Sequence, residues 1–350
     1  MKVTIVDIAK QANVSVTTVS KILNNKAESI RPDTISRVQS IIKDYNYTPN
    51  SIARSLITKK TKSIGLVIPD ISNLYFSNIA LGAENKSNEC GYNVIICNTD
   101  DNPEKEQNSI RMLKDKFVDG IILIPTLSST LEDIKLGMTE VPFVLVDRIF
   151  DTTAEDVMCV CVDNVYGGYI ATKFLVDHGH KRIGCIIGSN TDKNTRDRLK
   201  GFYKAMTEAK LPIDESLIIE GGYRLSGGKR CAEQLLYKKV DAVFVQNDLM
   251  ACGVYSVFLE SGKSIPEDIS VIGYDNVDYA RILTPALTTV AQPYRDMGWT
   301  ASENLINEIE GQAAPNIFTL TPSLVVRNSV AVIKSTKSNI ATGRRNEFAF

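Results

Sequence analysis

From Ser63 onward the chain alternates short, uninterrupted apolar runs with longer mixed stretches: SIGLVI, then Asn73 to Glu89; NVIICN, then Glu104 to Lys114; DGIILI, then Ser128 to Leu136; then FVLVD. Runs of this length, bounded by Pro, Asp or Gly and without polar alternation, are strands buried on both faces. Such a strand needs a crossover helix to reach its parallel neighbour, so the series dictates a doubly wound α/β sheet. A second series starts near Val157, with RIGCIIG, DAVFVQ and ISVIGYD as strands, and two doubly wound halves are implied. Open sheets of this class take their ligands at the carboxyl ends of the strands, between the halves.

The residues just past those ends repeat one chemistry. Asp70 and Asn73 follow the first strand, Asp147 and Arg148 the fourth, Asn247 and Asp248 follow DAVFVQ, and Asp275 and Asn276 follow ISVIGY. Fixed carboxylates, amides and guanidinium groups beside Tyr75, Phe76 and Tyr223 suit a neutral polyol, offering acceptors and donors for hydroxyls and aromatic faces for ring C–H groups. Any one such Asp is more often a helix cap; the set carries the reading.

The stretch before Ser63 differs. Residues 1–62 hold 11 Lys and Arg against 4 Asp and Glu, the remainder 29 against 37, so a +7 head precedes a −8 body within a net charge of −1. Only the head suits a polyanion. Thr4-Ile5-Val6-Asp7 has the form of a capping box opening a helix to about Gln11, with Ile5, Ile8 and Ala9 as its apolar stripe. Asn13, tolerant of left-handed geometry, makes a turn, and Ser15 caps a second helix from Val16 to about Leu23. Val19, Ile22 and Leu23 face inward there, leaving Val16, Thr17, Ser20 and Lys21 outward, as on a recognition helix. A third helix after Pro32 closes the bundle through Ile35, Val38, Ile42 and Tyr45. Then comes TPNSIARSLITKKTK: Pro49 stops the third helix, Asn50 caps a short new one, and Ile52, Ala53, Leu56 and Ile57 lie on one side of it. A helix of about eight residues needs a partner surface, and an apolar residue on it can wedge a minor groove.

Motif and spacing together, TIVDIAKQANVSVTTVSKILNN followed by YNYTPNSIARSLITKKTKSIGLVIPD resembles the LacI/GalR family of bacterial transcription regulators, and the likeness runs over residues 3–330. The resemblance implies a helix-turn-helix domain at 1–47, a hinge at 48–62 and a ligand-binding and dimerisation core at 63–330. Within that core, the implied subdomains are 63–161 and 162–291, with a return to the first at 292–321. It implies base contacts from Val16, Thr17 and Lys21, phosphate contacts from Thr4, Ser15, Ser20 and Asn24, and a minor-groove wedge at Leu56, flanked by Asn50 and Ala53. It places Asn73, Phe76, Asp147, Arg148, Arg198, Asn247, Asp275 and Gln292 on cleft motifs, with Arg198 in RDRLKGF and Asp275 in GYD foremost; Tyr75 and Tyr223 complete the expected effector set. Arg31, where the family often has a Ser cap, is a departure.

The expectation is a homodimeric repressor of carbohydrate-utilisation genes that reads a palindromic operator and answers to a small sugar-like effector. An enzyme acting on sugars is the rival, and a solute-binding protein a third reading. Against the enzyme, GKS at Gly262–Ser264 lacks the first glycine of a phosphate loop, GGY at Gly167–Tyr169 is not GxGxxG, and GxSxG and HExxH are absent. His178 and His180 read as caps between a helix and a strand. Seven scattered cysteines without a CxxC and two histidines speak against a metal, and no cofactor is expected. With no signal peptide and no spanning run, a reduced cytoplasmic protein is expected, with a disordered tail at 331–350.

Overall fold

The structure, a computed structural model, describes residues 3–23, 26–48, 60–151, 157–312 and 315–333. It separates into two compact units, Met1–Thr61 and Lys62–Phe350.

In the first unit, helices α1 (Ile5–Gln11), α2 (Val16–Leu23) and α3 (Pro32–Asp44) enclose Ile8, Ala9, Ala12, Val19, Ile22 and Val38. The Thr4–Asp7 capping box forms: the Asp7 amide donates to the Thr4 hydroxyl and the Thr4 amide to the Asp7 carboxylate, at 2.9 Å for the latter. Asn13 adopts φ 51° in the turn, and Ser15 Oγ accepts from the Thr18 amide. Arg31 caps α3 by position only, giving no side-chain hydrogen bond, while Pro32 supplies the first-turn φ. Tyr45 departs from expectation. It is 45% exposed, because α3 ends at Asp44, and its hydroxyl accepts from Gln11 Nε2 while Tyr47 packs on the core instead. The hinge helix lies outside the described residues.

The second unit has two six-stranded sheets. The first contains β1 (Ser63–Ile68), β2 (Asn93–Asn98), β3 (Gly120–Leu123), β4 (Phe143–Val146), β5 (Cys159–Val162) and a late strand, β11 (Ile317–Leu320), in the order β11-β5-β4-β3-β1-β2. The second contains β6 (Ile183–Ile187), β7 (Ile218–Glu220), β8 (Ala242–Val245), β9 (Ser270–Asp275), β10 (Thr288–Ala291) and β12 (Ser323–Val325), in the order β12-β10-β9-β8-β6-β7. All pairings are parallel except β10 with β12. The strand at Cys159–Val162, placed near the start of the second series by its apolar run but within the first subdomain by the family resemblance, hydrogen-bonds to β4 and β11 in the first sheet. The chain also crosses between sheets three times, since after β11 it returns to lay β12 against β10; a three-residue strand carries too little periodicity to be seen in sequence.

Helices cover both faces: α4 (Leu74–Glu89), α5 (Pro103–Asp115), α6 (Leu131–Gly137) and α12 (Tyr294–Ile309) on the first sheet, and α7 (Asn164–Asp177), α8 (Lys193–Glu208), α9 (Leu225–Leu236) and α10 (Asp248–Glu260) on the second. A four-residue turn of helix, α11 (Tyr279–Ile282), follows β9. The helix expected from Ser128 begins at Leu131 because Thr130 is its cap, accepting from the Asp133 amide. The tail's first residues are ordered, against expectation: the Ala331 amide donates to Ser270 Oγ and the Ile333 amide to the His178 carbonyl, and the remainder lies outside the described residues. No described helix is long and apolar enough to cross a membrane.

Candidate functional site

In both sheets the strand order reverses at the first strand, between β1 and β3 and between β6 and β8. A crevice opens outside the carboxyl ends at such a point, because the flanking loops run to opposite faces. Asn73 follows β1 as the cap of α4, its Oδ1 accepting from the Tyr75 amide. Asp192 follows β6 as the cap of α8, and Asn247 follows β8 as the cap of α10. The chain crosses between the two halves after Val162, Ala291 and Leu320, and residues from both crevices line one cavity.

Between them lies a cavity with about 40 Å³ of free space, lined by Asn73, Tyr75, Phe76, Asp147, Arg148, Arg198, Tyr223, Asn247, Asp275 and Gln292, and also by Asp192 and Asn194. The fold therefore brings all ten residues of the expected effector set to one place. The cavity continues into a wider mouth of about 540 Å³, where Asp70, Asp100, Asp101 and Leu127 of the first half face Arg224, Leu225 and Leu249 of the second.

The inner walls are held by a polar network. Tyr75 donates its hydroxyl to Asp147 Oδ1 at 2.7 Å, Asn194 Nδ2 reaches the same oxygen at 3.2 Å, and Gln292 Nε2 donates to Asp275 Oδ1 at 2.7 Å. On the opposite wall Tyr223 donates to Asp192 Oδ2 at 2.7 Å. Arg198 is 3% exposed; its Nε donates to Asn164 Oδ1, its Nη1 to the Gln246 carbonyl, and its guanidinium lies 3.9 Å over the Tyr274 ring. Arg148 is turned aside, with Nη1 donating to Asp101 Oδ1 at 2.7 Å and to the Pro125 carbonyl.

Burial dominates the electrostatics. It pushes the Asp147 carboxyl above its usual range, with the Tyr75 hydroxyl, Arg198 and Arg148 pulling it back, and the Asp275 carboxyl well above, with Arg198 pulling it back. Burial also works against the charge of Arg198, but Tyr223, Tyr274, Asp275 and Asp147 hold its pKa raised. Asp248 is fully buried behind the cleft, accepting from Thr289 Oγ1 and the Val277 amide, and burial pushes it to about 7. It supports the loop after β9 and does not line the cavity. Strain collects at the site too: Asp147 has φ 65°, Tyr223 60° and Asp275 114°, conformations costly for non-glycine residues.

Asp192 and Asn194 were missed from sequence. The same rule that found the others, polar residues just past a strand end, applies to SNTDKNT after RIGCIIG. Conversely, Asn276 points away from the cavity, its Oδ1 accepting from Arg327. His180 is buried, with Nε2 at 3.1 Å from the Ala331 carbonyl, and has no part in the cleft. No cluster of metal-ligating side chains occurs among the described residues.

On the head, Val16, Thr17, Ser20 and Lys21 of α2 line one shallow depression with Lys26, which follows the helix. Val16, Thr17 and Lys21 are exposed. The Thr4 hydroxyl is engaged with Asp7 and that of Ser15 with Thr18, so both residues are tied into helix starts. Asn24, Asn50, Ala53 and Leu56 lie outside the described residues.

A helix-turn-helix unit in one chain with a two-lobed, cleft-bearing core defines a ligand-responsive DNA-binding regulator. Residues 4–50 match the bacterial regulatory proteins of the lacI family, and residues 172–330 a periplasmic binding protein-like domain. Over 342 residues the chain is 39% identical to the HTH-type transcriptional regulator DegA of Bacillus subtilis, covering 96% of this chain and 100% of that one. It is 37% identical to the HTH-type transcriptional repressor PurR of Photobacterium profundum, covering 93% and 98%. Among solved structures, the lac repressor dimer bound to operator and the anti-inducer ONPF superimposes with a TM-score of 0.84 at 27% identity, covering 95% of this chain and 100% of that one. The CelR–cellobiose complex gives a TM-score of 0.71 at 29% identity, covering 93% and 99%. The chain belongs to the LacI family: it is a transcriptional regulator and not an enzyme.

Proposed function

We propose that this regulator is a cytoplasmic, homodimeric repressor of carbohydrate-utilisation genes, binding a palindromic operator through its head and hinge and controlled by a small sugar-like effector in the cleft. The reading is carried by the convergence of carboxylate, amide, guanidinium and aromatic side chains from both halves on one cavity. Hydroxyl groups need fixed donors and acceptors, and ring C–H faces need aromatic planes; Phe76 and Tyr223 supply the planes beside Asp147, Asp275 and Gln292. The CelR–cellobiose complex adds a sugar-bound relative of the same fold, and the operator-bound lac repressor a dimeric one.

For DNA, Val16, Thr17 and Lys21 are assigned to base edges and Thr4, Ser15, Ser20 and Asn24 to phosphates, with Asn50, Ala53 and Leu56 at the minor groove. A cleft that closes on its ligand stabilises the protein by mass action. Thermal-shift screening of unmodified mono- and disaccharides, followed by operator titration with each hit, tests the proposal. A sugar that raises the melting temperature and also changes operator affinity is expected; binding without any change in operator affinity would refute the control.

A further inference from the structure

The outward face of α2 carries few groups that can tell one base pair from another. Its sequence, VTTVSKIL, holds no Asp, Glu, Asn or Gln, so nothing on the helix accepts from the cytosine amino group or pairs bidentately with adenine. Ser15 Oγ and Thr18 Oγ1 are bonded to each other at 2.9 Å, and the Thr18 amide donates to Ser15 Oγ at 3.1 Å, which commits the Ser15 hydroxyl to closing the helix start. A hydroxyl such as that of Thr17 suits donors and acceptors alike.

Val16 is different. It is 40% exposed, while Val19 and Ile22 of the same helix are 0% and 5% exposed and close the bundle without it. The interior of the bundle therefore does not account for an apolar side chain at this position. Helix formation does not account for it either, since a β-branched residue loses rotamer freedom in a helix. Val16 lines a depression of about 300 Å³ with Thr17, Ser20, Lys21 and Lys26, and the two lysines favour a polyanion beside it. On the major-groove edge only a base pair with thymine presents an apolar group, the C5 methyl. An isopropyl group and a methyl group bury one another; against any other edge Val16 covers a polar atom and leaves it without a partner.

Resting on the operator reading above, we propose that Val16 is a specificity-determining residue: it packs on the methyl group of one thymine in each operator half-site and selects that base by apolar contact. Burying one methyl group is worth about fourfold in affinity, hence roughly fifteenfold when both half-sites lose it.

The experiment selects operators for the full-length protein from a pool of random double-stranded DNA. Binding is then titrated at fixed salt with each thymine of the selected operator replaced in turn by deoxyuridine, symmetrically in both half-sites. Uracil pairs as thymine does and lacks only the methyl group. In wild type, one symmetric position is expected to show the roughly fifteenfold loss. Val16→Ser removes the apolar contact at an exposed first-turn position, so its melting temperature should match wild type. In that variant the loss at the same position should shrink below about twofold, while losses at other thymines stay as they were. A uridine series without such a position, or a loss that persists undiminished in Val16→Ser, would overturn the methyl contact while leaving operator recognition in place. A pool that yields no preferred sequence would overturn the operator reading and this inference together.

Discussion

At the scale of single residues, the cleft holds a buried charge by fixed geometry. Arg198 holds a fork of three fixed relations, to Asn164, to the Gln246 carbonyl and to the Tyr274 face, that an ammonium cannot reproduce. Arg198→Lys, which keeps the charge and loses the fork, should raise the effector concentration at half-response roughly ten- to hundredfold, the equivalent of about 1.5–3 kcal/mol, with operator affinity in the absence of effector unchanged; a DNA-binding titration with and without effector checks it. Asp248 makes a pH prediction. Its folded pKa, about 7, lies above the ordinary carboxyl value of 3.8, so the folded state holds the proton more tightly. Its contribution to stability is then fully present below about pH 4 and is lost as the pH rises to about 7. Asp248→Asn cannot titrate there, and wild type should gain stability relative to it as the pH is lowered from 7 to 4, measured by melting temperature across that range.

At the scale of elements, three helix pairs are sealed by reciprocal glycines. A Cβ at Gly82 of α4 would stand 2.0 Å from the Arg295 carbonyl oxygen, and one at Gly298 of α12 would stand 2.0 Å from that of Ile79. Gly168 and Gly201 do the same between α7 and α8, against the carbonyls of Arg198 and Val165. Gly228 and Gly253 repeat it between α9 and α10, against Met250 and Leu225. Each contact is with backbone, which cannot swing aside. These helices carry Tyr75, Arg198 and Asn247 to the cleft, so backbone-to-backbone packing fixes where those side chains stand. Gly201→Ala should therefore cost roughly 1–3 kcal/mol of stability, read as a lower urea midpoint, and weaken effector binding as Arg198 is displaced. Normal effector binding in a destabilised Gly201→Ala would separate packing from site geometry and refute the link. None of these glycines has a positive φ, so their reason is space and not conformation.

At the scale of the whole molecule, one recognition helix of eight residues reaches few base pairs. Two heads of a dimer on a palindrome should protect two half-sites about 10 bp apart, and footprinting on a palindromic operator with shifted spacings tests this; a monomeric footprint on an unrepeated site would count against it. Lys21→Ala should lower operator affinity and, if Lys21 also meets a phosphate, reduce the salt slope by about 1; titrations at several salt concentrations measure both.

How far the sequence reached can be judged from particular elements. The capping box at Thr4–Asp7, the left-handed Asn13 and the doubly buried strands such as SIGLVI are decided by local chemistry: a hydroxyl within reach of an amide, a tolerated φ, an apolar run too short for a helix. Those were legible. The post-strand rule likewise marked Asn73, Asp147, Asn247 and Asp275, because a parallel sheet always delivers its carboxyl ends to one edge. From periodicity alone, the assignment of Cys159–Val162 to the first sheet, the return of Ser323–Val325 to the second and the pairing of glycines across helices were not legible. Each depends on which strand or helix becomes a neighbour, a long-range choice that leaves no period in the chain. Local sequence thus determined the elements and the chemistry at their ends; only the tertiary structure decided that Arg148 pairs with Asp101 and that Arg148 and Arg198 line one cavity with Asp147, Asp192 and Asp275, because the balance of charge in a cleft is set by distances between residues far apart along the chain.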